Sequence, residues 1–233
     1  YTLEDQGKEK VVQQKSIANN RIQNKWLIRQ TMTQPNKKEK TLALESGVDS
    51  IVVDATSVTK ESFNDQFIVK CYSAEEIMRL RSFNPYFKIT IDPIGAWIIG
   101  KTDAPRLDLI KEKPQVLRVS GNVQHEAGAT PEQELSGILA WLNEYLHYIE
   151  ENNLKKDFAE EIEIQISAGI DFFTEIAKLR AVRLLVKRLL DVYEINIPLV
   201  ITAKTSQYHL GHKDQYTNLL RNTTMGLSAI IAG

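Results

Sequence analysis

The sequence predicts an α/β fold in which helices cover a parallel β-sheet. Two observations predict it. From residue 26 onward, short apolar runs alternate with longer amphipathic stretches, and helix-capping signals stand where those stretches begin. With 42% hydrophobic and 25% charged residues, the 233-residue chain has the composition of a globular protein of one or two domains.

Each short apolar run is interpreted as a strand, because it has the length and β-branched content of a buried strand and is followed by a helical pattern. The predicted strands are residues 26–29, 48–53, 67–72, 87–91, 115–120, 161–167 and 199–205. The segment before them, residues 1–25, is rich in Lys, Glu, Gln and Asn, and we expect an N-terminal arm or linker there.

Helix starts are marked by side chains that can bind free backbone amides. Thr130 with Gln133, and Ser73 with Glu76, have the spacing of a capping box, and Pro131 suits the first helical position. Apolar residues then recur at three- and four-residue steps. This pattern predicts long helices over residues 131–151, 171–193 and 214–231.

We interpret this alternation of strands and helices as a (β/α)8 TIM-type barrel. Only seven strands are predicted in residues 26–233, so we expect a partial barrel domain whose final strand is missing from this chain. In such a barrel each helix turns an apolar side toward the sheet. We interpret the basic run from Lys178 to Arg188 as the solvated face of its helix.

Charge and cysteine content exclude several classes of protein. The 29 basic and 30 acidic residues give a net charge of -1, which offers no positive surface to nucleic acid or to anionic lipid. Neither a GxxxxGKS nor a GxGxxG phosphate loop occurs. A single cysteine and the lack of a secretory signal pattern favour the cytoplasm.

The segment RVSGNVQHEAGAT, residues 118–130, leaves a predicted strand at the end where parallel barrels place their active sites. His125 and Glu126 have the chemistry of an acid and base pair, although capping and packing are commoner roles for adjacent loop residues. His209 and His212 have a spacing found in metal sites. No further ligand pattern accompanies them, so we expect a solvated loop and no metal.

The segment FAEEIEIQIS, residues 158–167, alternates between polar and apolar residues. Its isoleucines are expected beneath helices, so Glu161 and Glu163 would point into the barrel. An unpaired carboxylate there costs on the order of several kcal/mol, and Arg118 and Lys204 on neighbouring strands are the expected partners. We predict an interior ionic cluster of Arg118, Glu163 and Lys204. A catalytic pair of carboxylates is the alternative.

Four stretches of the chain resemble, in the same order, the substrate-barrel region of adenosylcobalamin-dependent methylmalonyl-CoA mutases, especially their small subunit. They are WLIRQ at 26–30, GNVQHEAGATPEQEL at 121–135, DFFTEIAKLRAVR at 171–183 and TSQYHLGHKDQYTNLLR at 205–221. EAGAT followed at this separation by EIAKLRA is a highly specific combination. With gaps, the resemblance extends over most of the chain after residue 25.

The resemblance also identifies positions that carry function in the catalytic members. A tyrosine and histidine pair that positions the substrate is replaced here by Asn122 and Val123. An arginine and a serine that hold coenzyme A are replaced by Glu161 and Glu163, and a carboxylate should repel the coenzyme A phosphates. The resemblance therefore implies no catalytic residue and no substrate-binding residue at these positions.

Two further strands differ from the catalytic pattern. Thr202 and Lys204 stand where the family has a histidine and a glutamine that line the active centre. Val116 and Arg118 replace small serines of the substrate channel, and larger side chains should obstruct it. Glu126 matches a family glutamate near the corrin, and we interpret it as a relic of cofactor binding.

These losses beside retained helix motifs imply a catalytically silent small subunit that supports a catalytic large subunit. By resemblance, that partner interconverts methylmalonyl-CoA and succinyl-CoA and holds the adenosylcobalamin, while this chain binds no cofactor. No DxHxxG cobalamin motif occurs, and no cobalamin domain is expected in these residues. The alternative is an active acyl-CoA isomerase subunit of altered specificity, with a new pocket formed by Glu161, Glu163, Arg118 and His125.

Overall fold

A computed structural model describes residues 26–59, 66–155 and 157–233. Seven parallel strands form one sheet, and each strand pairs with the next one along the chain. They are β1 (Arg29–Thr31), β2 (Ser50–Asp54), β3 (Phe67–Lys70), β4 (Lys88–Ile91), β5 (Val116–Ser120), β6 (Glu161–Ala168) and β7 (Leu199–Thr205). The predicted α/β class and parallel sheet are confirmed. The predicted arm, residues 1–25, lies outside the described residues.

Helices alternate with the strands, as the sequence pattern predicts. They are α1 (Lys37–Glu45), α2 (Ala74–Phe83), α3 (Pro93–Ile98), α4 (Asn122–Glu126), α5 (Pro131–Glu151), α6 (Phe172–Val192) and α7 (Gln215–Ala232). Short 3-10 helices span Ala55–Ser57 and Leu107–Glu112. In the described part of the chain, no helix combines the length and the apolar character needed to cross a membrane.

Both predicted capping signals hold a helix start, but only one is a complete box. Thr130 Oγ1 accepts a hydrogen bond from the Gln133 amide at 3.4 Å, and the Gln133 side chain accepts one from the Thr130 amide at 2.9 Å. Ser73 Oγ accepts from the Glu76 amide at 3.2 Å, whereas the Glu76 carboxylate accepts from the Tyr72 amide at 2.8 Å. The Glu76 carboxylate therefore binds the amide of the residue before the N-cap, and the reciprocal bond of a full box is not formed.

The apolar core lies between the sheet and the helices. Ile162, Ile164 and Ile166 of β6 are fully buried, and so are Ile138 and Leu142 of α5 in the same cluster. Because strand residues alternate between faces, the polar residues between those isoleucines point to the other side of the sheet. This alternation places Glu163 inside the curve of the sheet.

Contacts across the inner face show that the sheet curls. Arg29 lies on β1, one edge of the sheet, yet its guanidinium binds Glu163 of β6 at 2.5 Å and Thr202 of β7 at 3.2 Å. A flat sheet would hold its first and seventh strands roughly 29 Å apart, at about 4.8 Å per step. The sheet is therefore a curved half-barrel, which agrees with a partial (β/α)8 barrel.

Candidate functional site

The C-terminal mouth of the half-barrel begins where β5 passes directly into α4. Asn122, the first residue of α4, is only 9% exposed, and its side-chain oxygen has no hydrogen-bond partner among the described residues. Val123 follows it and lines a cavity at this mouth. An amide and an isopropyl group thus stand where the resemblance places a tyrosine and a histidine. Neither supplies an aromatic wall or an imidazole donor.

The barrel interior next to this mouth is occupied by an ionic cluster centred on Glu163, whose side chain is fully buried. Arg118 on β5 donates to one carboxylate oxygen at 2.9 Å. Arg29 donates to the other oxygen at 2.5 Å, and the Thr202 hydroxyl donates to it at 2.7 Å. Arg118 is level with Glu163 in the sheet register, so the strand pairing itself sets this contact.

The electrostatics of the cluster favour the ionised carboxylate. Burial raises the pKa of Glu163, but Arg118 and Arg29 outweigh it together with the Thr202 hydrogen bond, so the pKa lies below its usual value. A charged carboxylate and two guanidinium groups therefore fill the centre of the half-barrel. Any group that enters the half-barrel at this level meets these charged side chains.

The structure brings two of the three predicted cluster residues, Arg118 and Glu163, together and leaves Lys204 apart from them. Arg118 contacts Glu163, but Lys204 forms no ion pair with it in the residues that the structure describes. Lys204 is level with Ser167 in the register and lies about 7 Å beyond Thr202 along β7, at roughly 3.3 Å per residue. Arg29, which sequence reasoning missed, supplies the second cation instead.

Glu161, the other carboxylate on the same face of β6, lies closer to the N-terminal ends of the strands than Glu163 does. It forms an ion pair with Lys88 of β4 at 2.8 Å, near the N-terminal ends of the strands. The side chains of Lys88 and Glu161 are 40% and 18% exposed, so water reaches this pair. Glu161 and Glu163 thus have separate cationic partners, and the structure does not bring them together as one acid and base pair.

The cavity lined by Val123 is small. Its volume is about 50 Å³, and its polar lining includes Lys70, Tyr72, Thr90 and Arg118. Pockets that take drug-sized ligands typically measure roughly 300–1,000 Å³. A cavity of this size does not hold the acyl and pantetheine arm of a coenzyme A ester.

His125 and Glu126, the candidate acid and base, do not face one another. His125 is 8% exposed, and its Nε2 lies 2.9 Å from the Ser206 hydroxyl after β7. The Glu126 carboxylate accepts hydrogen bonds from the backbone amides of Gln207 and Tyr208, at 3.0 and 2.8 Å. Both side chains therefore hold the loop after β7 against α4. Each oxygen of Glu126 accepts a hydrogen bond from this chain's own backbone.

A second buried ionic network lies behind this loop and was missed by sequence reasoning. Lys178 of α6 binds Glu134 of α5 at 2.8 Å and Glu175 at 2.7 Å. Glu134 also accepts from the Ser167 amide at 2.9 Å and lies 3.5 Å from the imidazole of His125. Lys178 is 3% exposed, so its placement on the solvated face of α6 was wrong. The missed signal is its position beside Leu179 and four residues before Val182, within the apolar stripe.

The two histidines after β7 differ in their surroundings. His209 is partly buried and packs edge-on against His125, with ring centroids 5.7 Å apart. Burial and the neighbouring His125 lower the pKa of His209. His212 is exposed, as expected for a loop. No group of three or more His, Cys, Asp or Glu side chains that could hold a metal ion occurs in the described residues.

A family model and several curated proteins match this chain. The family model for methylmalonyl-CoA mutase matches residues 110–233. The methylmalonyl-CoA mutase small subunit of Porphyromonas gingivalis is 27% identical, over 93% of this chain and 42% of that protein. The Streptomyces virginiae small subunit is 36% identical over 51% of this chain and 20% of its own length. Methylmalonyl-CoA mutase of Rhizobium meliloti is 35% identical over 53% of this chain and 18% of its own.

The matched region contains most of the geometry described above. It includes β5 to β7, Glu163 with its partners Arg118 and Thr202, the network around Lys178 and the loop held by Glu126, whereas Arg29 lies outside it. The chain spans less than half the length of these relatives. Because the family model covers 124 residues, from 110 to 233, which is more than half of the 233-residue chain, the chain belongs to the methylmalonyl-CoA mutase family.

Proposed function

We propose that this chain is the barrel region of a catalytically silent small subunit, which supports the catalytic large subunit of a methylmalonyl-CoA mutase. The partner carries adenosylcobalamin and performs the interconversion of methylmalonyl-CoA and succinyl-CoA. This chain contributes a folded surface and binds no cofactor of its own. We place the assembly in a reducing compartment, the cytoplasm, as part of this proposal, because one cysteine cannot form a disulfide within these residues.

The observation that carries the proposal is the charged plug of the half-barrel. Glu163 is fully buried between Arg118 and Arg29, so an acyl-CoA chain could enter only by displacing a paired cluster. Removing one partner from such a cluster costs about 3–5 kcal/mol, because a buried charge is left unpaired. A substrate would have to make up this free energy before it gained any contact with the barrel.

The mouth of the half-barrel supports the same conclusion. Asn122 and Val123 can neither form an aromatic wall nor donate from an imidazole, so orientation and electrostatic stabilisation of a substrate carbonyl are both lost. Glu126, His125 and Ser206 are used to fix the loop after β7. The polar residues that remain at this end therefore serve the architecture of the barrel.

Names of relatives support the assembly. Proteins similar to this chain include a small and a large mutase subunit from the same organism, Streptomyces virginiae. The chain is 36% identical to the small subunit over 125 residues and 34% identical to the large subunit over 118 residues. A barrel of this kind paired with a related, catalytic barrel is the arrangement that we propose.

Two measurements on the same preparation test the proposal. Isothermal titration of the purified chain with methylmalonyl-CoA should give no binding at micromolar ligand, while the cognate large subunit gives a saturable signal as the positive control. Size-exclusion chromatography of the mixed subunits should give one heterodimer peak. Micromolar binding of the ester by this chain alone, or turnover after addition of adenosylcobalamin without a partner, would favour the active isomerase subunit instead.

A further inference from the structure

The cavity at the mouth of the half-barrel contains polar groups that the fold does not satisfy. Three side-chain atoms on its lining residues are buried without a hydrogen-bond partner among the described residues: Thr90 Oγ1, Asp92 Oδ2 and Arg118 Nε. Each such group costs about 1–3 kcal/mol when it is left unpaired. Three of them around one cavity indicate that the cavity holds a polar guest.

The charged side chains around the cavity favour a negatively charged ligand. Arg118 shares the carboxylate of Glu163 with Arg29, so two guanidinium groups face one negative charge. Lys70 also lines the cavity and forms no ion pair within the described segments. Burial is the largest cause that lowers the pKa of Lys70; Arg118 and Lys204 lower it further, and Asp54 and Asp92 oppose them.

Asp92 is compatible with an anion because of its own environment. Its Oδ1 accepts hydrogen bonds from the Tyr145 hydroxyl at 2.7 Å and the Gly95 amide at 2.9 Å. Burial raises the pKa of Asp92 despite the hydrogen bonds from Ser120 and Tyr145 and the charge of Arg118. In the protonated form, Oδ2 can donate a hydrogen bond. Thr90 Oγ1, Arg118 Nε and a protonated Asp92 Oδ2 are then all potential donors on lining residues of this cavity.

The volume and the lining of the cavity limit the size and the chemistry of the bound anion. A volume of about 50 Å³ holds an anion of a few heavy atoms. The remaining wall is apolar and is formed by Ile91, Ala96, Ile99 and Val123. We propose that this cavity binds a small carboxylate anion of the size of formate or acetate, held by Arg118 Nε, Lys70 and the Thr90 hydroxyl. The site is independent of the proposed subunit role, because a coenzyme A ester does not fit in it.

The proposal is tested on the purified, ¹⁵N-labelled chain. The Arg118 Nε–H resonance is assigned by its loss in Arg118→Lys, and it is followed during titration with sodium formate and then sodium acetate. Sodium chloride at matched ionic strength and sodium phosphate are the comparison salts. Both carboxylates should give a saturable shift of this resonance, and chloride and phosphate should give none.

Two variants and one matched control localise the site. Lys70→Met should weaken acetate binding by about tenfold, since a charged hydrogen bond is lost, and Thr90→Val should weaken it by roughly fivefold. Lys88→Met removes an interior cation at the opposite end of the half-barrel, where Lys88 pairs with Glu161. Its acetate affinity should equal that of the unmodified chain.

Several outcomes would overturn the proposal. A flat titration with both carboxylates would mean that the cavity holds ordered water only. An equal response to chloride would mean that general ionic strength moves the resonance. Equal weakening in Lys88→Met and Lys70→Met would place the anion outside the cavity. None of these results bears on the ester titration that tests the subunit role, so the two conclusions fail separately.

Discussion

Glu163→Gln is the substitution whose consequence the structure defines most sharply. Glutamine has nearly the same size as glutamate but no charge, so the volume of the half-barrel interior is kept while the charge balance is lost. Arg118, at 3% side-chain exposure, and Arg29, at 17%, would face each other without the carboxylate that both now contact.

The expected loss of stability is large. Removing one member of a buried ionic cluster costs about 3–5 kcal/mol, against a total free energy of unfolding of roughly 5–15 kcal/mol for a domain. For a chain of 233 residues this corresponds to a fall in melting temperature of about 6–20 °C, at roughly 2–4 °C per kcal/mol.

The pH dependence of stability provides a second readout of the same group. Because the pKa of Glu163 is lowered in the folded protein, its stabilising contribution is present above the ordinary carboxyl value of 4.5 and is lost as the pH falls through the folded value. The difference in unfolding free energy between the unmodified chain and Glu163→Gln should therefore be constant near neutral pH. It should shrink progressively as the pH falls below about 4.5.

Urea unfolding followed by circular dichroism measures both effects. The matched control is Glu161→Gln, on the same strand and the same face, two residues earlier, where the ion pair with Lys88 is open to water. Its cost should be at most about 1 kcal/mol. If Glu163→Gln lost no more than Glu161→Gln at neutral pH, the charged plug would not stabilise the barrel and the reasoning above would be refuted.

Three further predictions concern the other buried groups. Lys178→Met should lower the free energy of unfolding in urea by about 3–5 kcal/mol, because Glu134 and Glu175 lose their cation. The exposed control Lys187→Met should change it by no more than about 0.5 kcal/mol. Equal effects of the two substitutions would contradict the buried network. Glu126→Ala should speed hydrogen exchange at the Gln207 and Tyr208 amides by about fivefold or more, and unchanged exchange would show that the loop does not depend on Glu126. Asp92→Asn should stabilise the chain at neutral pH. Because burial raises the pKa of Asp92, ionisation of this carboxyl lowers the free energy of unfolding as the pH rises above its ordinary 3.8. Melting temperatures across pH 3–7 that stay parallel to those of the unmodified chain would count against this prediction.

Local sequence patterns were sufficient to predict most of the fold. The helix over 131–151 and the strand over 199–205 have the predicted bounds, because their periodicity, capping residues and lengths are all encoded within a few residues. β1 begins at Arg29, three residues later than predicted. The three preceding residues are apolar and resemble a strand, yet Trp26, Leu27 and Ile28 are 51–65% exposed. Apolar composition alone did not place this boundary.

The candidate site was predictable where strand alternation and register decide it. Alternation put Glu163 inside the barrel, and the neighbouring strand supplied Arg118. The third member was not predictable in this way, because Arg29 is 134 residues from Glu163 and reaches it only through the curvature of the whole sheet. Lys178 is a different case. Its position on the helix indicated the buried side, but lysine is rarely buried without a carboxylate partner, and the sequence alone did not identify those partners.

The buried network around Lys178 changes what the shared sequence signatures report. Glu134 follows the EAGAT segment, while Glu175 and Lys178 lie in EIAKLRA, and these side chains join α5 to α6 behind the barrel. A chain can lose its substrate chemistry and still need these residues in order to fold. The sequence stretches by which the family is recognised therefore indicate the fold of the barrel and say little about its catalytic activity. To distinguish a working mutase barrel from an inactive one, a sequence survey should score the interior positions of β5, β6 and β7 instead.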